Sequence, residues 1–558
     1  MDYKKLIARC VRVGGLDADA LYDDIVYGQS ADAGDYALPL FKYAKRLGKS
    51  PADLAKAAAD SFVADEFIER CAPVGGYVNF YLKRAAAASD VLKTVAARGQ
   101  NFAPAKRVNK TICIDYSSIN IAKPFHIGHL LTTVIGGSLY RIAAFLGYDV
   151  IGINHLGDWG TQFGKLVCAY KKWGNDADIE RRGIRSLLEL YVRFHAEAEN
   201  DKSLEDEGRR WFKRIEDGDA DALKIFSKFK EVTLRDVDKV YNTLGVRFDS
   251  YNGESFYNDK LDAVTRSLKA KGLLTESDGA EVVDLSEFGM PPCLIRKSDG
   301  ASLYATRDLA AAVYRKKTYN FDKCLYVVAY QQNLHFKQVF KVLELMGYPW
   351  AGDCEHVPFG MVSLENSGAL STRKGNVVFL EDVLETSVQK TRGIIESKNP
   401  ALPDKESVAK AVGVGAVIFF ALSTSRIKDT VFSYDKALNF DGETAPYIQY
   451  THARCCSILE KCVGGNDAGA DFNGLCDDAG FGVVKLLARF DETVAAAWEK
   501  YEPSILARYL IDLCQVFNKF YIDHKVAGNP ERVLLTRCVR DVIKNGLSLL
   551  LIEAPNKM

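Results

Sequence analysis

Hydrophobic and polar positions along this chain follow two rhythms, and the places where the rhythm changes mark its domains. Residues 1 to about 95 mix helical stretches with one alternating run, Gly75-Gly76-Tyr77-Val78-Asn79-Phe80-Tyr81-Leu82, which predicts a strand. Asn101 to Lys110 carries neither rhythm and reads as a linker. Beyond it, Thr111-Ile112-Cys113-Ile114-Asp115-Tyr116 is a short apolar run with β-branched residues, the pattern of a buried strand, and Leu130 to Leu146 repeats with helical spacing. Strand patterns return at Glu281–Leu285 and Cys293–Arg296. There the turn Ser298-Asp299-Gly300 predicts a hairpin leading into Leu303-Tyr304-Ala305-Thr306. A further strand, Lys323–Tyr330, runs into Gln331-Gln332-Asn333-Leu334-His335 and a helix ending near Gly347. From Thr111 onward this alternation predicts a parallel, doubly wound sheet.

Two regions depart from it. Between about Lys171 and Val246 lies a charged, helix-rich insertion whose Lys and Arg clusters, such as Arg209-Arg210-Trp211-Phe212-Lys213, read first as a solvated face. From about Ser407 the pattern is almost wholly helical. The predicted organisation is a small α+β N-terminal domain over 1–100, an α/β domain over 101–430 with its helical insertion near 171–246, and an all-helical domain over 431–558.

A length of 558 residues agrees with three or four domains. No run of eighteen apolar residues appears, and Met1-Asp2-Tyr3-Lys4-Lys5-Leu6-Ile7 lacks the apolar core of a secretory signal, so a cytoplasmic chain without a membrane span is expected. Thirteen cysteines, odd in number and without a Cys-x-x-Cys pair, argue for reduced thiols and against a structural zinc site. The 73 basic and 73 acidic residues cancel, so any nucleic-acid contact requires a local basic face.

Candidate chemistry gathers at the first strand-to-helix junction, Ser117-Ser118-Ile119-Asn120-Ile121-Ala122-Lys123-Pro124-Phe125-His126-Ile127-Gly128-His129-Leu130. Pro124 suits a first helical turn, and a helix start offers unpaired N–H groups and a positive dipole end to a phosphate. Gly128 lets a nucleotide approach the backbone, and two imidazoles stand beside it as donors.

The string from Asp115 to Leu130, followed by Asn154-His155-Leu156-Gly157-Asp158-Trp159-Gly160-Thr161-Gln162-Phe163-Gly164, resembles the signature of arginyl-tRNA synthetases, which are class I aminoacyl-tRNA synthetases. The resemblance implies a Rossmann-like catalytic domain, a tRNA-contacting N-terminal domain and a helical anticodon-binding domain. It also implies a monomer that uses ATP with Mg²⁺, L-arginine and tRNA(Arg). On the family's pattern, His126 and His129 donate to the phosphates, Phe125 and Gly128 border the nucleotide, and Gly360-Met361-Val362 line the adenine pocket. The second family signature is degenerate here, Ala369-Leu370-Ser371-Thr372-Arg373-Lys374-Gly375. Thr372 stands where most class I enzymes carry a catalytic lysine, and Lys123 is expected to replace it, while Ser371, Arg373 and Lys374 cover the pyrophosphate. Without the resemblance this string reads as a solvated loop.

The family's arginine contacts map onto Asp115, Asn120, His126, Tyr304, Asp308 and Gln332. Asp308 is the expected guanidinium partner, because a carboxylate meets a guanidinium with paired charge-assisted bonds; a carboxylate of a helix's first turn is its other reading. For tRNA the resemblance points to Tyr77 and Asn79 in the N-terminal domain, to Tyr447 and Tyr450 as base-stacking residues, and to Met558. Tyr447 and Tyr450 are spaced equally well for a helix core. Two departures stand out: Ile119 replaces a common proline, and Leu131-Thr132-Thr133 replaces Arg-Ser-Thr. Rival readings are a cysteinyl or small-molecule adenylate ligase and an inactive RNA-binding relative.

Overall fold

Alternating residues build the first sheet. The computed structural model describes residues 2–28, 33–297, 304–365, 377–462 and 471–558. Strands β1 (Val26–Tyr27), β2 (Tyr36–Pro39), β3 (Ile68–Val74) and β4 (Tyr77–Leu82) pair antiparallel in the order β1-β2-β4-β3. Val78, Phe80 and Leu82 face the core, and Gly75, at φ 56°, makes the turn that lets β3 fold back on β4.

The main sheet is parallel throughout. Strands β5 (Thr111–Asp115) and β6 (Asp149–Ile153) pair side by side, and the chain then leaves the sheet for the insertion, helices Asp176–Arg182, Ile184–Asn200, Ser203–Glu216 and Ala220–Leu244. The insertion's cations are largely occupied by ion pairs such as Lys213–Asp217 at 2.8 Å and Arg214–Asp219 at 2.9 Å, which makes its basic clusters a solvated face. A small antiparallel sheet follows, β7 (Leu274–Ser277), β8 (Ala280–Val283) and β9 (Cys293–Arg296). Strands β10 (Lys323–Ala329) and β11 (Cys354–Phe359) then complete the main sheet in the order β11-β10-β5-β6. Short strands β12 (Val362–Leu364) and β13 (Thr430–Phe432) pair parallel beside it.

Two expectations are corrected. Tyr304-Ala305-Thr306 opens the helix Tyr304–Tyr319 instead of a second hairpin strand. Its buried positions Ala305, Leu309 and Ala312 recur at helical spacing, and Thr306 Oγ1 donates to the Ile295 carbonyl at 2.6 Å. The expected turn Ser298–Gly300, with Leu303, lies outside the described residues. Pro124 precedes the helix after β5, which starts with a 3₁₀ turn at Ile127–His129 and continues as Leu130–Phe145.

The C-terminal helices include Ala445–Lys461, Asp478–Ala488, Phe490–Glu499, Ser504–Asp523 and Pro530–Leu549. The N-terminal domain packs on them through one continuous hydrophobic core, and polar ties cross the same seam: Lys4–Glu492 at 2.7 Å, Arg98–Asp491 at 2.8 Å and Arg84 Nη1 to the Cys476 carbonyl at 2.6 Å. All thirteen cysteines are free thiols. Among the described residues no helix is long and apolar enough to cross a membrane.

Candidate active site at the sheet switch point

Strand order reverses between β5 and β10, since the chain continues from β5 to β6 on one side and places β10 on the other. In open α/β sheets the crevice beyond such a point receives ligands. The loop leaving β5 enters it in an unusual conformation, with Ser117 (φ 67°), Ser118 (φ 45°) and Ala122 (φ 58°) all in the left-handed region. Each costs on the order of 1 kcal/mol or more, so surrounding bonds must hold it. Ser117 N–H donates to Thr132 Oγ1 at 3.0 Å, Ala122 N–H to Thr233 Oγ1 at 2.9 Å, and Ser117 Oγ meets Thr133 Oγ1 and the Tyr241 hydroxyl at 2.9 and 2.8 Å. Thus Thr132, which stands where the family pattern has serine, and Thr133, which matches it, brace the loop from inside. Asn120 pairs with Gly157 across an isolated bridge, where a side chain on Gly157 would lie 2.3 Å from Asn120 Oδ1.

The loop delivers the two histidines in a defined tautomer. Gly128 N–H donates to His126 Nδ1 at 3.0 Å, and His126 N–H donates to His129 Nδ1 at 3.2 Å. With each Nδ1 lone pair taken, the remaining proton sits on Nε2, so each ring presents an N–H donor. Burial, reinforced by the Lys123 ammonium, pushes His126 down to about 4; burial, then His126 and Lys123, pushes His129 down to about 3. Both are neutral donors at physiological pH, with ring centroids 4.0 Å apart. Gly128 has a local reason beyond ligand access: a Cβ there would lie 2.7 Å from His126 Cε1. Phe125 is corrected from nucleotide contact to support. It is buried with its ring 5.4 Å from His129, and its carbonyl accepts from Leu380 N–H at 2.9 Å. Ile127 N–H likewise donates to the Val378 carbonyl, tying the tetrad to the segment after residue 376.

Two carboxylates at the crevice have different partners. Asp115, at the end of β5, is bound by Arg315 Nη2 at 2.7 Å on Oδ2 and by Ser118 Oγ at 2.6 Å on Oδ1, with Arg315 only 1% exposed. Each Asp115 oxygen thus already has one partner within the protein, and each retains a second acceptor site. Among the described residues Asp308 Oδ2 meets a histidine alone, His335 Nε2 at 2.6 Å, and the pair is partly exposed. Burial alone would raise the Asp308 carboxyl, but the His335 bond and the charges of His335, His155 and Arg315 hold it below the usual carboxylate range. Asp308 lies in the second turn of its helix, so its role as a first-turn cap is also set aside. Nearby, burial raises Glu254 to about 7, Asp308 and Asp158 adding to the effect while Arg307 and Lys123 oppose it. Glu254 sits next to Gly253 and Ser255, which pack on the fully buried Asp158: Ser255 N–H and Oγ both reach its carboxylate at 2.8 Å.

Tyr304 and Gln332 are exposed at the N-terminus of their helix and just after β10, respectively. Gly360 is packed so tightly that a Cβ would lie 2.5 Å from the Lys428 carbonyl, and exposed Met361 donates its N–H to Asp429 at 2.6 Å. Val362 turns its side chain into the core, so it can offer the adenine pocket only its backbone. Ser371, Thr372, Arg373 and Lys374 lie outside the described residues. Among the described residues no cluster of three or more histidine, cysteine or carboxylate side chains is arranged to hold a metal ion.

The candidate RNA contacts divide in the same way. Tyr77 is exposed, edge-on to Phe41, whereas Asn79 is 5% exposed on β4 between β2 and β3; it is corrected to an enclosed residue with almost no surface to offer a partner. Tyr447 is half-buried, its hydroxyl accepting from Asn518 at 3.0 Å, which ties it to the helix core. Tyr450 is exposed beside Arg454, whose guanidinium lies 4.9 Å from its ring, and borders a cleft of about 870 Å³ with Tyr521, Lys525, Lys557 and Met558. Met558 packs on a small core of Ile395, Leu402 and Val412, its carbonyl accepting from Asn399 at 3.3 Å. Residues missed from sequence include Arg315, His335, Thr233 and Tyr241; only His335, next to the strand-end polar run, carried a local signal.

Comparison with known proteins adds the remaining observation. Residues 91–434 match the family described as tRNA synthetases class I (R), catalytic domain; residues 3–82 match the arginyl tRNA synthetase N-terminal domain, and residues 448–558 the DALR anticodon binding domain. The chain belongs to the arginyl-tRNA synthetase family. Arginine–tRNA ligases of Clostridium botulinum (strain Alaska E43 / Type E3) and Alkaliphilus metalliredigens (strain QYMF) are 49% and 47% identical to it over 566 and 565 residues, covering 100% of each chain. The Thermus thermophilus arginyl-tRNA synthetase structure superposes with a TM-score of 0.82 at 26% identity, covering 96% of both chains. For this arginyl-family chain, membership of class I also carries the use of ATP.

Proposed function

We propose that this chain is an arginine–tRNA ligase that joins L-arginine to ATP as an adenylate, releasing pyrophosphate, and passes the arginyl group to tRNA(Arg), releasing AMP. The observation that carries this reading is the pairing, around one crevice, of two neutral Nε2–H donors with an ionised carboxylate whose only direct polar partner among the described residues is a histidine. In this reading the imidazoles of His126 and His129 stabilise charge developing on the phosphates, Gly360 and Met361 border the adenine, and Lys123 supplies the ammonium that Thr372 cannot. Asn120, Tyr304 and Gln332 surround the amino acid, and Asp308 takes its guanidinium. The polar and aromatic lining of the Tyr450–Met558 cleft suits an anticodon base, with Tyr77 a second RNA contact. A cytoplasmic monomer completes the reading.

Arginine-dependent exchange of pyrophosphate into ATP, measured with and without tRNA(Arg), tests it. Exchange that depends on both arginine and tRNA is expected, since a pocket completed by tRNA couples specificity to assembly. Exchange supported by another amino acid, or none with any, overturns the assignment. Citrulline should be rejected by on the order of 10⁴-fold, because it brings no positive charge to the Asp308 carboxylate.

A further inference from the structure

The two carboxylates of the crevice are neutralised by cations of different kinds. Asp115 is paired with Arg315, whose guanidinium cannot give up its proton in a protein. Asp308 is paired with His335, whose imidazole can. We propose that His335 is a positioning residue that serves as a removable counterion, holding Asp308 in place in the empty pocket and losing a proton when the substrate's guanidinium takes over the charge. The inference rests on Asp308 as the guanidinium partner.

The geometry allows this exchange without breaking a bond. His335 Nε2 lies 2.6 Å from Asp308 Oδ2, so the Nε2–H donates to the carboxylate in either charge state. The proton that leaves is the one on Nδ1, and it passes to solvent. Protonated His335 plus cationic arginine thus give a neutral imidazole, a bound guanidinium and one released proton. Two cations on one carboxylate would repel, and only the histidine can yield. Burial lowers the His335 pKa, but the bond to Asp308 and its charge outweigh this and raise it above the ordinary histidine value.

Among the described residues, titratable and charged groups face the pair from several elements, including Cys293 on β9, whose thiol burial and Asp308 push up to about 12. His356 on β11 faces His335 and is held low by burial. His155 and Arg315 face Asp308, as does Glu254, whose own pKa of about 7 makes it the competing source of a proton.

The test counts protons. Arginine binding to the full-length protein is measured calorimetrically in buffers of different ionisation enthalpy, between about pH 6 and about pH 8.5. Release approaching one proton per arginine is expected at the acid end, with affinity rising by up to about tenfold per pH unit until His335 is neutral. His335→Gln, which keeps a neutral donor, should abolish both the release and the slope, while Glu254→Gln retains them. No release in the wild type, or release that persists in His335→Gln and vanishes in Glu254→Gln, overturns the proposal. In wild-type protein the His335 Cε1–H resonance should titrate without arginine and stay at its neutral position with it; titration in both states also overturns it. Asp308→Asn separates the two ideas: normal arginine binding by that variant removes Asp308 from the pocket, whereas lost binding with a zero wild-type proton count sinks the counterion alone.

Discussion

Asp115 and Asp308 stand at neighbouring positions around one crevice, yet the first belongs to the interior and the second to the ligand. Asp115 has both oxygens engaged and a fully buried guanidinium beside it. Among the described residues Asp308 is bonded to one titratable partner, and it keeps part of its surface exposed. The difference teaches that a carboxylate at a strand end becomes a recognition group only if the fold leaves its charge unspent, and family position alone did not distinguish the two.

The largest effect should come from the closed pair. Arg315→Ala leaves Asp115 buried without its cation and should cost about 3–5 kcal/mol of stability, read as a fall in urea midpoint; a variant of normal stability would show that Asp115 is open after all. Next is the open pair: Asp308→Asn should weaken arginine use by about 2–5 kcal/mol with little change in melting temperature or ATP affinity. Equal damage to both substrates would dissolve the contrast. Lys123→Ala should lower kcat by about 10²–10³-fold with arginine binding kept, and Thr372→Lys should restore part of it; near-normal kcat would return the role to Arg373 or Lys374.

Smaller effects sharpen the same division at the other end of the molecule. Tyr450→Ala should weaken tRNA use by about 1–3 kcal/mol, while Tyr447→Ala lowers the melting temperature and leaves tRNA KM alone. The reverse result would exchange their places. The last effect concerns pH. His126 and His129 have folded pKa values of about 4 and about 3, below their unfolded value, so the unfolded chain binds more protons as pH falls. Stability they contribute is present above about pH 6.5 and is lost from there down toward pH 3. His126→Gln should flatten this acid limb in a melting series; an unchanged limb would assign it to other groups.

The sequence made the parallel sheet legible because its strands are apolar runs between helices of clear period, and the histidine tetrad because spacing and strand end coincide. It misled at Tyr304, where small apolar residues after an Asp-Gly turn gave no sign of period until the helix was seen. Phe125, Val362 and Asn79 carried the residue types of a site and were turned inward by strand or loop geometry that no local pattern records. Arg315 and Asp115 lie 200 residues apart, and a pairing at that separation is written only in the fold. The left-handed backbone at Ser117 and Ser118 was equally hidden, since serine is not a residue that announces it.

The seam between the two ends of the chain also sets a schedule. Lys4 waits for Glu492, Arg84 for Cys476 and Arg98 for Asp491. On a ribosome adding roughly 5–20 residues per second, the N-terminal domain emerges on the order of tens of seconds before the helices that cover it exist. During that interval its docking face, including half-buried Tyr27 and the aromatic ring of Phe102, is bare, and synthesis rate, chaperone supply and temperature decide how much of the nascent chain survives to close the seam.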